Sequence, residues 1–126
     1  MLFVSAVNKF GWGLREPSSS STSVRNWLSE QLAAPDAAIF SHVSTSADGL
    51  IALREQRKAK MQGDPLVKPI FQSEIADQTH NLLITEQPFR ERLCWFWFNH
   101  FTVSLRQGST RAVIGAYMRE AIRPHV

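Results

Sequence analysis

The chain carries one cysteine, no long apolar run and little net charge, and each shortage removes a class of function. A lone Cys94 excludes an internal disulfide and leaves the redox compartment open. Set between Leu93 and Trp95, it reads as a small buried hydrophobe, not a reactive thiol. No segment approaches the roughly 20 apolar residues of a membrane span. The opening, Met1-Leu-Phe-Val-Ser-Ala-Val-Asn-Lys9, lacks a basic start, and its apolar run is too short for a secretion signal. The default expectation is a soluble, cytoplasmic chain. Fourteen basic against eleven acidic residues leave a net charge of +3, which supports nucleic-acid binding only if concentrated on one face. Gly11-x-Gly13 lacks the third glycine, the preceding strand and the lysine of a phosphate loop. Among His42, His80, His100 and His125, no pair has the i, i+4 spacing of a helical zinc site. No cofactor is implied.

What the chain does have is aromatic weight: four Trp and eight Phe in 126 residues. Much of it falls between Pro88 and Arg106. Pro88 suits a first helical position, where its missing N–H costs nothing. Leu93, Phe96, Trp97, His100 and Phe101 then repeat at i, i+3, i+4, i+7 and i+8, one face of a helix. Trp95 and Phe98 lie on the other side. A helix apolar almost all round is expected to be buried by its neighbours. The fold class is therefore all-α, an irregular multi-helix bundle around a buried aromatic helix at about residues 88–104.

The remaining helices follow from caps and breakers. Residues 2–9 make one or two turns before the Phe10-Gly11-Trp12-Gly13 turn, and the Ser-rich stretch 14–23 reads as a flexible connection within a single unit, 1–126. Ser23 caps a helix from Val24 to about Leu32, which Pro35 ends. Asp48 to Met61 is helical, with Arg54, Arg57, Lys58 and Lys60 as the basic cluster, read as a solvated face, so that nucleic acid is not an expected partner. Gly63-Asp64-Pro65 punctuates the chain. Residues 68–86 form a helix with Ile70, Phe71, Ile75, Leu82 and Leu83 inward and Glu74, Asp77, Gln78 and Asn81 outward. After a turn at Gln107-Gly108, Ser109 or Thr110 caps a last helix whose packing side holds Ala112, Val113, Ala116, Tyr117, Glu120 and Ala121, closed by Pro124.

Candidate chemistry gathers at the aromatic helix. Asn99 beside His100, with Arg90 and Arg92 at the helix start, is the candidate catalytic set. The two arginines oppose the helix dipole and so call for acidic partners, with Glu74, Asp77 or Glu120 available. Asp77 and His80 share a helix face at i, i+3, and with His100 they are the candidate metal ligands. Ser104 lacks a nucleophile elbow.

The run Phe89-Arg-Glu-Arg-Leu-Cys-Trp-Phe-Trp-Phe-Asn-His-Phe-Thr-Val-Ser104 resembles the signature of a large bacterial family, domain of unknown function 1800, which has the form Arg-x-Arg-Leu-x-x-Phe-Trp-x-Asn-His-Phe-x-x-Ser. Phe10-Gly11-x-Gly13, Trp27-Leu28-x-x-Gln31-Leu32 and Arg119-Glu-Ala-Ile-Arg-Pro-His125 are similar to the same family in the same order. Phe98 departs from the pattern, since members often have His there. The resemblance implies a longer protein, of which these residues form an N-terminal portion of a larger helical domain. It implies the rest of that protein as the partner, and it transfers no catalytic residue, because the family has no established activity. The biochemical function is therefore unknown from the sequence; the alternatives are a non-enzymatic helical scaffold or interaction module, and a hydrolase or group-transfer enzyme when full length.

Overall fold

The structure is a computed structural model that describes residues 2–12, 23–101 and 103–126; Gly13, most of the Ser-rich connection and Thr102 lie outside them. The described residues are helical with no strand: α1 (Leu2–Phe10), α2 (Val24–Ala33), α3 (Ser46–Lys58), α4 (Val67–Ile84), α5 (Pro88–His100) and α6 (Ile114–Tyr117). Tight turns at Gly108–Ala112 and Arg123–His125 and a wide π-helical turn at Met118–Ile122 flank α6. The all-α expectation holds.

Local chemistry sets the boundaries. The Ser23 hydroxyl accepts from the Asn26 N–H at 3.2 Å, the cap expected for α2. Pro35 forces Ala34 into extended backbone and stops that helix. α3 opens on a reciprocal capping box between Thr45 and Asp48. Helices α4 and α5 have no cap of their own and borrow one from a distant glutamine. Gln56 Oε1 accepts from the Leu66 and Val67 N–H groups at 3.2 and 3.3 Å, and Gln31 Oε1 accepts from the Phe89 N–H at 2.9 Å. Both glutamines are buried, and each satisfies a helix start while locking two elements together.

Helices α1 and α2 pack on α5, α3 packs on α4, and the segment from Gly108 to His125 joins the two groups. Its Met118 and Ile122 close on Cys94 to make the apolar core, with Trp95, Phe98, Tyr117 and Val126 around it. Cys94 is fully buried, as its apolar neighbours suggested.

Three expectations are corrected. The aromatic helix ends at His100, not near residue 104, and it is not buried all round: Phe96 is 56% and Phe101 54% exposed, while its Cys94 side faces the core. Periodicity located the stripe but could not tell which side has a partner. On α4 the faces are exchanged. Glu74, Asp77, Gln78 and Asn81 are the buried residues, and Ile75 and Leu83 are open. Carboxylates go inward there because arginines and backbone donors await them. The C-terminal segment, finally, is no single capped helix. It starts at Gly108 without a side-chain cap, buries Ala112, Gly115, Ala116, Met118, Ile122 and Arg123, and leaves Glu120 and Ala121 outside.

Gly49 of α3 lies so close to the Ala112 carbonyl oxygen that a Cβ there would overlap it. Gly49→Ala should therefore lose on the order of 1–3 kcal/mol, despite the better helix former. Urea denaturation checks this, and an unchanged or raised midpoint would show that α3 does not approach the 108–112 turn so closely.

Candidate functional site

The polar residues of the chain converge on Arg123. This guanidinium is buried and donates to both Glu91 carboxylate oxygens, at 2.9 and 2.5 Å, and to both Asp36 oxygens, at 2.8 and 2.7 Å. Such fork-to-carboxylate geometry is the strongest form of ionic hydrogen bond. Burial would lower the Arg123 pKa, but the bonds to Glu91 and Asp36 outweigh it and raise it. For Asp36, burial pushes upward, and the Arg123 hydrogen bond, the Ala38 N–H and the charges of Arg123 and Arg90 hold the carboxyl below its ordinary value. One helical turn earlier, Arg119 pairs with both oxygens of the buried Glu74 and donates to the Ser44 carbonyl. Phe40 lies against both guanidinium groups, its centroid 5.6 Å from Arg119 and 5.4 Å from Arg123.

Arg90 and Arg92 find backbone partners in place of the acidic ones expected. Arg90 donates to the carbonyls of Gln31, Leu32 and Ala34 at 3.1, 2.6 and 2.7 Å, where the last turn of α2 leaves acceptors unpaired. Arg92 donates to the Gly11 carbonyl at 3.0 Å and lies 5.0 Å from the Trp12 ring. The proposed acids are engaged elsewhere: Glu74 by Arg119, Glu120 by the Ser46 N–H and hydroxyl, and Asp77 by the His42 N–H at 2.8 Å. The Ser46 bonds lower the Glu120 pKa.

Asn99 and His100 are exposed at the end of α5. His100 stacks on Phe96 and meets Trp97 and Phe101 edge-on, with centroids 6.0, 5.5 and 5.1 Å away. His80 is exposed on α4, and Asp77 has His42 Nδ1, at 3.8 Å, as its imidazole neighbour. Among the described residues no three His, Cys, Asp or Glu side chains gather to hold a metal ion, so His80, Asp77 and His100 are not brought together as a ligand set. Arg54, Arg57, Lys58 and Lys60 are exposed, with Lys58 pairing Glu55 at 3.5 Å. No described helix is long and apolar enough to cross a membrane. Burial raises the Cys94 thiol to about 11, which keeps it protonated and unreactive.

Sequence reasoning missed Asp36, Glu74, Arg119 and Arg123 as a set. A signal was there: Glu74, Asp77, Gln78 and Asn81 recur at i, i+3, i+4 and i+7, a polar stripe as regular as an apolar one.

The family model described as "Protein of unknown function (DUF1800)" matches residues 5–126, and the chain belongs to that family. No curated protein and no solved structure matches it.

Because the folded Asp36 pKa is depressed, its contribution to stability is complete above its unfolded value of about 3.9 and is lost as pH falls through the folded one. Asp36→Asn should thus melt below the parent near neutral pH, and the gap should narrow between about pH 5 and pH 2. Thermal melts across that range provide the check; a constant gap would mean that Asp36 acts through packing and not through charge.

Proposed function

We propose that this chain works as a non-enzymatic helical interaction module, whose aromatic strip at the end of α5 docks a further segment of a longer form of the same protein. The observation that carries the reading is the exposure of Phe96, Trp97, His100 and Phe101 side by side on one helical face, with Trp97 39% exposed and its two phenylalanine neighbours more than half exposed. A contiguous aromatic patch rimmed by polar residues is characteristic of an interface. Its base is fixed, because Glu91 and Arg90 tie the first turn of α5 to Arg123 and to α2. An apolar surface on a rigid helix can be covered without reorganising the fold. The family resemblance, which implies longer members, supports an occupant from the same polypeptide.

The rival reading is hydrolysis or group transfer in a longer form, with Asn99 and His100 as the reacting pair. Arg90 and Arg92 fit it poorly as substrate anchors, since they serve backbone carbonyls. In a longer form, His100→Ala with folding intact and function lost would favour chemistry.

For the interaction reading, the 126-residue chain should bind a hydrophobic dye. Phe96→Ser/Phe101→Ser should reduce that signal severalfold while leaving the melting temperature nearly unchanged. A longer expressed form should show little dye binding and a blue-shifted Trp emission. Dye binding that survives the double substitution, or that persists in the longer form, would contradict the proposal.

A further inference from the structure

The turn that joins α3 to α4 holds three left-handed residues: Lys60 at φ 50°, Gly63 at 75° and Asp64 at 54°. Lys60 and Met61 close a Schellman motif, with the Lys60 N–H donating to the Arg57 carbonyl and the Met61 N–H to the Gln56 carbonyl, each at 3.1 Å. Glycine is the preferred residue at the left-handed position of that motif, and a lysine there is strained. Lys68 also stands against local preference, because a cation in the first turn of α4 opposes the helix dipole. Side chains kept in unfavourable local settings point to function.

Two hollows flank this turn and meet at Asp64. One, of about 430 Å³, lies between the end of α3 and the turn at Gln107–Ser109, and Arg57 and Lys60 line it among mostly polar groups. The other, of about 470 Å³, is lined by Lys68 and Arg111. All four cations are exposed, and none forms an ion pair among the described residues. The one carboxylate in either lining, Asp64, accepts from the Gln56 amide at 2.7 Å, which fixes it in the wall. Four cations against one carboxylate match the net charge of the whole chain, +3, and the remaining ten basic and ten acidic residues balance. The chain's excess charge is therefore concentrated at this corner.

We propose that this corner binds a small molecule carrying two or more linked phosphoryl groups. Charge selects an anion. Two pairs of cations, one on either side of Asp64, select more than one anionic group, and arginine and lysine are the usual phosphate partners. Exposed Lys and Arg side chains carry their charge on long flexible stems, so both pairs can close on an anion seated between them. A phosphoryl chain also packs more charge into a given volume than carboxylates on a carbon frame. Concavity selects a small ligand over a nucleic acid. A single strand is held by a basic groove with aromatic faces on which bases stack. The aromatic side chain in these linings, Phe71, has the Arg111 guanidinium 5.8 Å over its ring and offers no open face to a base.

The test titrates the 126-residue chain with inorganic tripolyphosphate, followed by calorimetry and by amide proton–nitrogen spectra. Saturable binding is expected, with the largest shifts at Gly63, Gly108 and Ser109 and an affinity about tenfold above that for orthophosphate or citrate. Lys60→Gly is the deciding variant. It relaxes the left-handed backbone, so the melting temperature should stay at or above the parent's, while tripolyphosphate affinity falls about fivefold. A residue that only caps α3 would not produce that split. Arg111→Gln should weaken binding similarly, and Arg25→Gln, on α2 and outside both linings, should leave it unchanged. The proposal is overturned by an absence of saturable binding, by equal affinity for orthophosphate or citrate, or by a Lys60→Gly chain that binds as the parent does. An equal loss in Arg25→Gln would overturn it as well, since the attraction would then be diffuse. A single-stranded oligonucleotide that binds more tightly than tripolyphosphate, and is weakened by the same variants, would replace it with a nucleic-acid face.

Discussion

Everything else in the structure depends on one buried cation. Arg123 arrives from the C-terminal segment, passes beneath α5 and is gripped by Glu91 on that helix and by Asp36 on the loop after α2. Three elements far apart in sequence are thereby held at one point. A buried guanidinium is tolerable only when its donors are met by well-placed acceptors, and here two carboxylates meet it. Arg119, four residues earlier and so on the same side of the segment, repeats the arrangement with Glu74 of α4. The two arginines pin the C-terminal segment across both helical groups, and the Cys94–Met118–Ile122 core closes beneath them. Apolar burial supplies driving force without direction. The ion pairs supply the direction.

The same network joins stretches that lie far apart in the chain. Gly11 offers its carbonyl to Arg92, Gln31 caps the start of α5, Arg90 caps the end of α2, Glu91 accepts from Arg123, and Glu74 accepts from Arg119. On this account the polar residues of the aromatic helix's first turns build the scaffold. The aromatic residues of its last turns, left open, are the surface that the scaffold presents.

Much of this was legible in the sequence and some was not. Ser23, Pro35 and Pro88 act locally, through caps and backbone restriction, so α2 and the start of α5 could be placed from neighbouring residues, whereas Thr45 with Asp48 starts α3 at Ser46 and it ends at Lys58, not the expected Asp48 to Met61. Cys94 was readable from its apolar surroundings. Which side of a helix is covered is a tertiary matter. On α4 the apolar and polar residues each recur at helical spacing, and only partners distant in sequence, Arg119 for Glu74 and the His42 N–H for Asp77, decide that the two carboxylates face inward. Arg90 and Arg92 were rightly seen as needing acceptors, yet a carbonyl at a helix end serves as well as a carboxylate, and sequence does not distinguish them. The broken course of the last segment follows from its two arginines and its Gly115, which sits hard against the Glu74 side chain.

The claim that Arg123 organises the fold is tested most directly by a double-mutant cycle on Glu91 and Arg123, read as unfolding free energy at neutral pH. Glu91→Leu alone leaves a buried guanidinium short of a partner, and Arg123→Met alone strands a buried carboxylate, so each should lose about 3–5 kcal/mol. The double variant should recover part of that loss, with a coupling on the order of 2 kcal/mol. Strictly additive losses would contradict the account. They would mean that the two side chains stabilise the fold separately and that the core alone sets the position of the C-terminal segment.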